Sequence, residues 1–255
     1  MKAFCLSHLN ALLLALQFLT RLPISSSQTF SEQKQALSLL YYPLAGLIIG
    51  ALLWFLAIAL SGLNVFLAAS VVLVFWVMIT GALHLDGLAD LVDAWIGSHD
   101  NKQRMLDIMK DPAAGPVAVV SLVLLLMVKW SALVVIFQQQ AFALLIFVPM
   151  LARAGLLLLF LTTPYVRQGG LGDAISRQFN RSAAIAVLIS CWVLVLLCWP
   201  YPAVLFAFAG SALIFWLLRR GLMTRLDGFT GDCAGAWLEV HELLILICLA
   251  IWGYQ

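Results

Sequence analysis

Charge is scarce in this chain. Asp, Glu, Lys and Arg make up 10% of its 255 residues, whereas about 25% is usual for soluble proteins. The net charge is only +2 and no basic arm is present, so no nucleic acid partner is expected. The five cysteines are an odd number without paired spacing, which argues against a disulfide framework and a zinc site. The chain therefore lacks the polar surface that a soluble domain must present to water.

Apolar residues are abundant instead. They form 64% of the chain, and the mean hydropathy is +1.05. This is enough apolar sequence for roughly eight membrane spans of about 20 residues each. The composition predicts an all-α fold, a polytopic bundle of seven or eight transmembrane helices. We expect residues 1–255 to form one integral membrane domain in a lipid bilayer.

Seven apolar runs predict the spans, and an eighth segment is ambiguous. Residues 5–19 are short and carry His8, Asn10 and Gln17, so this segment either spans, re-enters or lies along the interface. The seven runs are 38–60, 63–83, 117–137, 141–163, 183–199, 203–218 and 240–252.

The polar connections alternate with short uncharged turns. Eleven of the fourteen basic residues lie in four polar loops, and so do eleven of the twelve acidic residues. Because Lys and Arg in short loops set the orientation, we expect these loops, and any chemistry they carry, to face the cytoplasm. The loops are 20–36, 84–116, 164–182 and 219–239.

The first acidic motif directly follows the second apolar run. Asp86, Asp90 and Asp93 stand at i, i+4 and i+7, which places them on one face of a helix. Like charges at this spacing repel and need a cation to offset them. Carboxylate oxygens favour Mg²⁺ or Mn²⁺, held by Asp86 with Asp90 or by Asp90 with Asp93. The alternative is a solvated acidic helix end.

A second acidic motif precedes the last apolar run. Asp232 and Glu239 are again seven residues apart, after the glycine-rich stretch that contains Thr230 and Gly231. Two acidic helix ends on one side of the membrane favour a shared metal site. The alternative is that Thr230-Gly231-Asp232 only caps the following helix.

Two basic residues lie inside apolar runs. Arg153 and Lys129 stand at membrane depth, where a charge is costly and usually faces a cavity or a partner. Lys129 can snorkel towards the interface, whereas Arg153 hardly can. We therefore expect Arg153 to be functional or ion-paired.

The order of these motifs resembles the bacterial cobalamin synthase family, the adenosylcobinamide-GDP ribazoletransferases. The resemblance covers essentially the whole chain. Ala94 and Asp227 depart from it, since the family usually has glycine at both places, but no carboxylate is lost. The motifs that carry the resemblance are Phe18–Pro23, His84–Asp93, Arg104–Gly115, Gly170–Gly172 and Gly228–Glu239.

The resemblance implies a magnesium-dependent enzyme of the bacterial inner membrane with a cytoplasmic active site. It would join adenosylcobinamide-GDP to α-ribazole or its 5′-phosphate, giving adenosylcobalamin or its 5′-phosphate and GMP. Asp93 or His84 would accept the proton of the attacking ribose hydroxyl, and this choice stays open. The metal ligands would be Asp86, Asp90, Asp93, Asp232 and Glu239, and the substrate-binding residues Arg104, Asp111, Arg153, Arg177, Arg225, Thr230 and Gly231.

Two other functions compete with this interpretation. A membrane phosphotransferase for CDP-linked alcohols also uses helix-end aspartates, but this chain lacks the Arg and the downstream Asp pair of that motif. An ion-coupled transporter would use Asp90, Arg153 and Glu242 along a pathway, yet the acids gather on one side rather than at mid-depth. A homo-oligomer is left open by the sequence.

Overall fold

The computed structural model describes residues 2–24, 31–169 and 171–252, and this part of the chain is all-α. Two 3₁₀ turns, Leu39–Tyr41 and Phe142–Ile146, lead into long helices. The α-helices are α1 Lys2–Leu19, α2 Glu32–Ser38, α3 Tyr42–Ala59, α4 Val65–Thr80, α5 Leu83–Gly97, α6 Lys102–Ile108, α7 Pro116–Gln139, α8 Phe147–Thr162, α9 Leu171–Gln178, α10 Arg181–Cys198, α11 Tyr201–Leu226 and α12 Gly231–Trp252.

The predicted membrane bundle is confirmed. Within the described residues, six helical segments are long and apolar enough to span a bilayer, and α4 with α5 is a seventh if that bent pair counts as one span. The chain is therefore a multi-pass membrane protein. The ambiguous segment 5–19 lies within helix α1, whose apolar part, Leu6–Leu19, is shorter than the other spans. Part of loop 20–36 and Gly170 fall outside the described residues.

The first acidic motif does not continue the second span in a straight line. The chain turns at Gly81 and Ala82, both left-handed with φ of 64° and 56°, and α5 leaves α4 at an angle of 84°. The Arg21 side chain packs on the space that a Cβ of Gly81 would take. The polar loop predicted at 84–116 is thus largely helical, because α5 and α6 fill most of it.

The last two spans are longer than predicted. Helix α11 continues to Leu226 and α12 begins at Gly231, so the loop expected at 219–239 shrinks to a turn. Hydropathy placed Glu239 and Glu242 near or beyond the end of a span because it counts their charges as exposed. In the structure Lys129 pairs with both glutamates inside the bundle and Arg153 pairs with Glu242, so the four charges balance and the helix can run through them.

Small residues allow the closest helix contact. Lipid chains are as apolar as leucine, so helices in a membrane associate through close packing more than through burial of apolar surface. Gly46 and Gly50, four residues apart on α3, face the backbone of Pro149 and Ile146, where a Cβ would overlap a carbonyl. Helix α12 is central and packs on α5, α7, α8 and α11.

Candidate active site

The two acidic motifs meet where α5 packs on the first turn of α12. Gly87 permits this approach, since a Cβ there would lie 2.8 Å from the backbone oxygen of Asp232. The Asp90 carboxylate is repelled by the negative charges of Asp86, Asp93 and Asp232. The structure thus brings carboxylates from α5 and α12 together at one corner of the bundle.

A short backbone pairing brings a cation to this corner. Tyr165 and Phe229 form a parallel bridge, in which the Val166 amide donates to the Phe229 carbonyl at 3.0 Å. Two residues beyond Tyr165, Arg167 donates from Nη1 to Asp232 Oδ2 at 3.0 Å. Burial raises the pKa of the Tyr165 hydroxyl, so it stays neutral. Sequence reasoning missed Arg167, because nothing local to the 164–182 loop marks it above its neighbours.

The first turn of α12 is capped by Thr230 rather than by Asp232. The Thr230 hydroxyl accepts from the Cys233 amide at 3.3 Å, and Thr230 is buried. Thr230 is therefore placed as a helix cap, and Gly231 as the first residue of the helix. The Asp232 side chain accepts from Arg167 and, at 3.4 Å, from the Thr230 hydroxyl, and it lies near the carboxylates of α5.

Asp93 forms hydrogen bonds with the start of α7. Its Oδ1 accepts from the Ala118 amide at 3.2 Å and its Oδ2 accepts from the Gly115 amide. These amides belong to the start of α7, where unpaired N–H groups favour an anion. Both oxygens of Asp93 are thus engaged by α7, which weakens its case as a free general base.

His84 lies in a pocket beside the carboxylates. It is 4% exposed, and neither of its ring nitrogens has a hydrogen-bond partner among the described residues. The pocket has a volume of about 250 Å³, and Asp86 and Asp232 also line it. The remaining wall comes from α1, α3, α5, α8, α9, α12 and the Tyr165 and Phe229 segments.

Glu239 and Arg153, proposed above as metal ligand and substrate-binding residue, are placed elsewhere. Lys129 donates to Glu239 at 2.6 Å and to Glu242 at 2.8 Å. Arg153 donates to the other oxygen of Glu242 at 2.7 Å and is completely buried. These four residues form a buried ionic cluster with no net formal charge. Glu239 thus faces Lys129 instead of the aspartates. Arg153 is ion-paired, one of the two outcomes expected for it.

The other substrate-binding candidates lie around the site without converging on it. Arg225 stacks on the Trp95 ring and donates to the Trp95 carbonyl at 2.6 Å, which joins α11 to the end of α5. Arg177 pairs with Asp173 one turn earlier on α9. Arg104 is exposed on α6, and Asp111 is exposed in the following turn, where it accepts from the Ala113 amide.

The donor set at the corner suits a hard cation. Within the described ranges, no group of three or more His, Cys, Asp or Glu side chains is arranged to hold a metal ion. Mg²⁺ commonly binds one or two carboxylates together with substrate phosphates and water. Asp86, Asp90 and Asp232 supply carboxylate oxygens, the donor type that Mg²⁺ takes, and they repel one another.

Comparison with known proteins places this arrangement in a family. The family model described as cobalamin-5-phosphate synthase matches residues 11–250. The chain belongs to this family. It is 49% identical over 241 residues to the adenosylcobinamide-GDP ribazoletransferase of Stutzerimonas stutzeri (strain A1501), covering 94% of this chain and 97% of that protein. It is 46% identical over 238 residues to the enzyme of the same name from Pseudomonas fluorescens (strain Pf0-1), covering 93% and 98%. No solved structure matches the chain.

The match to the cobalamin-5-phosphate synthase family covers every part of the candidate site. Residues 11–250 contain the bent pair α4–α5, Arg167 and both acidic motifs. The resemblance seen in the motifs is therefore confirmed along nearly the whole chain. Neither of the two relatives above is named as a CDP-alcohol phosphotransferase or a transporter.

Proposed function

We propose that this protein is an adenosylcobinamide-GDP ribazoletransferase. It joins adenosylcobinamide-GDP to α-ribazole or its 5′-phosphate, giving adenosylcobalamin or its 5′-phosphate and GMP. The observation that carries this proposal is the meeting of Asp86, Asp90 and Asp232 beside a pocket. A reaction at a diphosphate needs positive charge at the phosphate oxygens and a nucleophile held in position. Carboxylates that can hold a cation meet the first need, and a pocket beside them meets the second.

In this reaction a ribose hydroxyl of the acceptor attacks the phosphorus next to the cobinamide arm. A new O–P bond forms, the bond to the bridging oxygen of the diphosphate breaks, and GMP leaves. Asp86, Asp90 and Asp232 would hold Mg²⁺, which supplies positive charge to the phosphate oxygens. Arg167 holds Asp232 in place and adds a further positive charge at the same corner.

His84 is the better of the two candidates for the proton acceptor. His84 lines the pocket and neither of its ring nitrogens has a hydrogen-bond partner among the described residues, whereas both oxygens of Asp93 accept hydrogen bonds from α7. A neutral imidazole can take the hydroxyl proton as the O–P bond forms. Asp93 instead fixes the end of the acidic face against α7.

The protein would lie in the bacterial inner membrane with this site towards the cytoplasm. The support is the distribution of basic residues, since eleven of the fourteen lie in the same four polar loops as the acidic residues. Lys and Arg in short loops favour the cytoplasmic side.

Reconstitution tests the proposal directly. The purified protein in lipid vesicles receives adenosylcobinamide-GDP, α-ribazole and Mg²⁺, and GMP release and cobalamin formation are measured together. We expect both products in equal amounts, with loss of both after chelation and recovery after Mg²⁺ is returned. GMP release without a cobalamin product, or no release at all, would refute the assignment.

A further inference from the structure

Two arginines lie at the C-terminal end of α8. Arg181, the first residue of α10, donates from Nη2 to the Leu161 carbonyl at 2.6 Å. Arg219 on α11 donates from Nε and Nη2 to the Thr162 carbonyl at 3.2 and 2.8 Å. The two carbonyls belong to adjacent residues, so both guanidinium groups lie at the same helix end.

The positive charge at this helix end is only partly compensated. A helix C-terminus carries about half a negative charge, whereas the two guanidinium groups carry two positive charges. Neither of them forms an ion pair within the described residues, unlike Arg177, which pairs with Asp173. A guanidinium has five N–H donors, and the bonds to α8 use one from Arg181 and two from Arg219. The remaining donors and the excess charge suit an anion.

A second cavity, of about 410 Å³, lies beside Arg181. The end of α8, the segment after it and α9 form most of its lining. Phe160 and Tyr165 line both this cavity and the pocket of His84, but His84 and the aspartates line only the latter. Phe179 also lines the second cavity, and the Arg181 guanidinium carbon lies 5.8 Å from the centre of its ring. The second cavity is therefore a site apart from the acidic corner.

This site lies where membrane spans end. Thr162 is the last residue of one span and Arg181 the first residue of the next, so both stand where the headgroup region begins. Ile185, Ile189 and Val193 follow Arg181 at four-residue intervals on α10 and are all exposed. At about 1.5 Å per residue this row extends about 18 Å along the helix, which is close to the roughly 15 Å of half a hydrocarbon core. A lipid on this row has its phosphate beside Arg181.

We propose that Arg181 and Arg219 bind the phosphate of an anionic phospholipid, whose acyl chain lies along Ile185, Ile189 and Val193. Guanidinium donors form charge-assisted hydrogen bonds with phosphate oxygens, and basic sites between membrane helices bind acidic lipid headgroups. A zwitterionic lipid carries its own cation and gains less from the two arginines. A free phosphate ion meets the same guanidinium groups but has nothing to place on the apolar row.

Thermal unfolding in a neutral detergent tests the site without any substrate. A ligand that binds only the folded protein raises the unfolding temperature. Short-chain phosphatidylglycerol is compared with phosphatidylcholine of the same chain length and with inorganic phosphate. We expect phosphatidylglycerol to raise the unfolding temperature at concentrations where the other two have little effect. An equal effect of phosphatidylcholine, or of inorganic phosphate, overturns the proposal, because either result means that the site does not select an anionic lipid.

Adjacent arginines on α11 provide a matched control. Arg219 contacts the end of α8, whereas Arg220 stacks on Trp216. Each variant is compared with its own unfolding temperature without lipid, so a lost bond to α8 does not affect the comparison. We expect Arg181→Gln and Arg219→Gln each to need about fivefold more phosphatidylglycerol for the same shift, and Arg220→Gln to match the wild type. Equal losses in all three variants would show a general attraction of lipid to positive charge and would overturn the site.

The outcome is independent of the proposed function. Because no substrate is present, a wild type without transferase activity leaves the lipid site standing. A protein that forms cobalamin but does not distinguish phosphatidylglycerol from phosphatidylcholine refutes the lipid site alone.

Discussion

Arg167 and Asp232 form an ion pair across 65 residues of chain, with 3.0 Å between Nη1 and Oδ2. The pairing depends on the bridge between Tyr165 and Phe229, which aligns the two segments. Arg167 also acts on Asp90 with an attracting charge, against the repelling charges of Asp86, Asp93 and Asp232. This arginine therefore holds part of the acidic corner together before any diphosphate arrives.

Replacing Arg167 should make the site more dependent on added cation. In Arg167→Gln the carboxylates lose their positive neighbour, and we expect kcat/KM to fall about 10-fold or more, as for a lost charge-assisted hydrogen bond. Higher Mg²⁺ should recover part of the loss. Arg220→Gln changes an exposed arginine that stacks on Trp216 and serves as the matched control. An unchanged magnesium profile in Arg167→Gln would contradict the role given to Arg167.

Removing the charge of Asp90 should abolish most activity without unfolding the protein. Asp90→Asn keeps the shape of the side chain but weakens its affinity for a hard cation. We expect turnover to fall roughly 100-fold or more, while membrane insertion and the unfolding temperature stay near those of the wild type. The control Asp107→Asn alters an exposed aspartate on α6 whose side chain accepts from Gln103. Near-normal turnover of Asp90→Asn would remove this residue from the site.

The buried ionic cluster should behave as a unit. Glu242→Gln leaves Lys129 and Arg153 with too little negative charge in the bundle interior, which should reduce the free energy of unfolding by about 3–5 kcal/mol. Replacing Arg153 and Glu242 together, by Met and Gln, should cost less than the sum of the two single changes. Unfolding in detergent measures both effects. The control is Asp227→Asn, which breaks an exposed ion pair with Lys102 and should change the free energy of unfolding by about 1 kcal/mol or less. Additive losses would show that the charges are independent.

A single methyl group should disturb the contact between α3 and α8. Gly50→Ala places a Cβ against the Ile146 carbonyl, whereas Gly62 has open space around the corresponding position. We expect Gly50→Ala to destabilise the protein by about 1–3 kcal/mol and Gly62→Ala to have little effect. Equal unfolding temperatures for the two variants would show that α3 can shift without cost.

The orientation can be tested by labelling. In a background without the five native cysteines, Lys102→Cys and Arg177→Cys should react with an impermeant thiol reagent only when the cytoplasmic side is exposed. Reaction from the periplasm of intact cells at either position would reverse the topology.

Composition and periodicity predicted the membrane bundle and the helical face of Asp86, Asp90 and Asp93. They could not predict the 84° bend, because a left-handed turn at Gly81 and Ala82 depends on contacts with Arg21 far away in sequence.

The different roles of the acidic residues could not be predicted from the sequence either. Spacing alone gives Asp93, Asp232 and Glu239 the same character, yet Asp93 faces the amides of α7 and Glu239 faces Lys129. Such roles are decided by which helix packs opposite, and no local pattern records this. Arg167 was missed for the same reason, since its partner is fixed by the Tyr165–Phe229 bridge.

The buried ionic cluster also sets an order for biosynthesis. Lys129 lies on α7 and Arg153 on α8, but both glutamates that neutralise them lie on α12, which is made after them. Chains are synthesised from the N-terminus. The charges of Lys129 and Arg153 therefore lie in the bilayer without these partners while α9 to α11 are added, which costs free energy. Both charges gain their negative partners when α12 packs against α7 and α8. A chain whose translation stops before α12 keeps Lys129 and Arg153 without these glutamates. This uncompensated charge physically distinguishes an unfinished chain from a finished one, and cellular proteases can act on that difference.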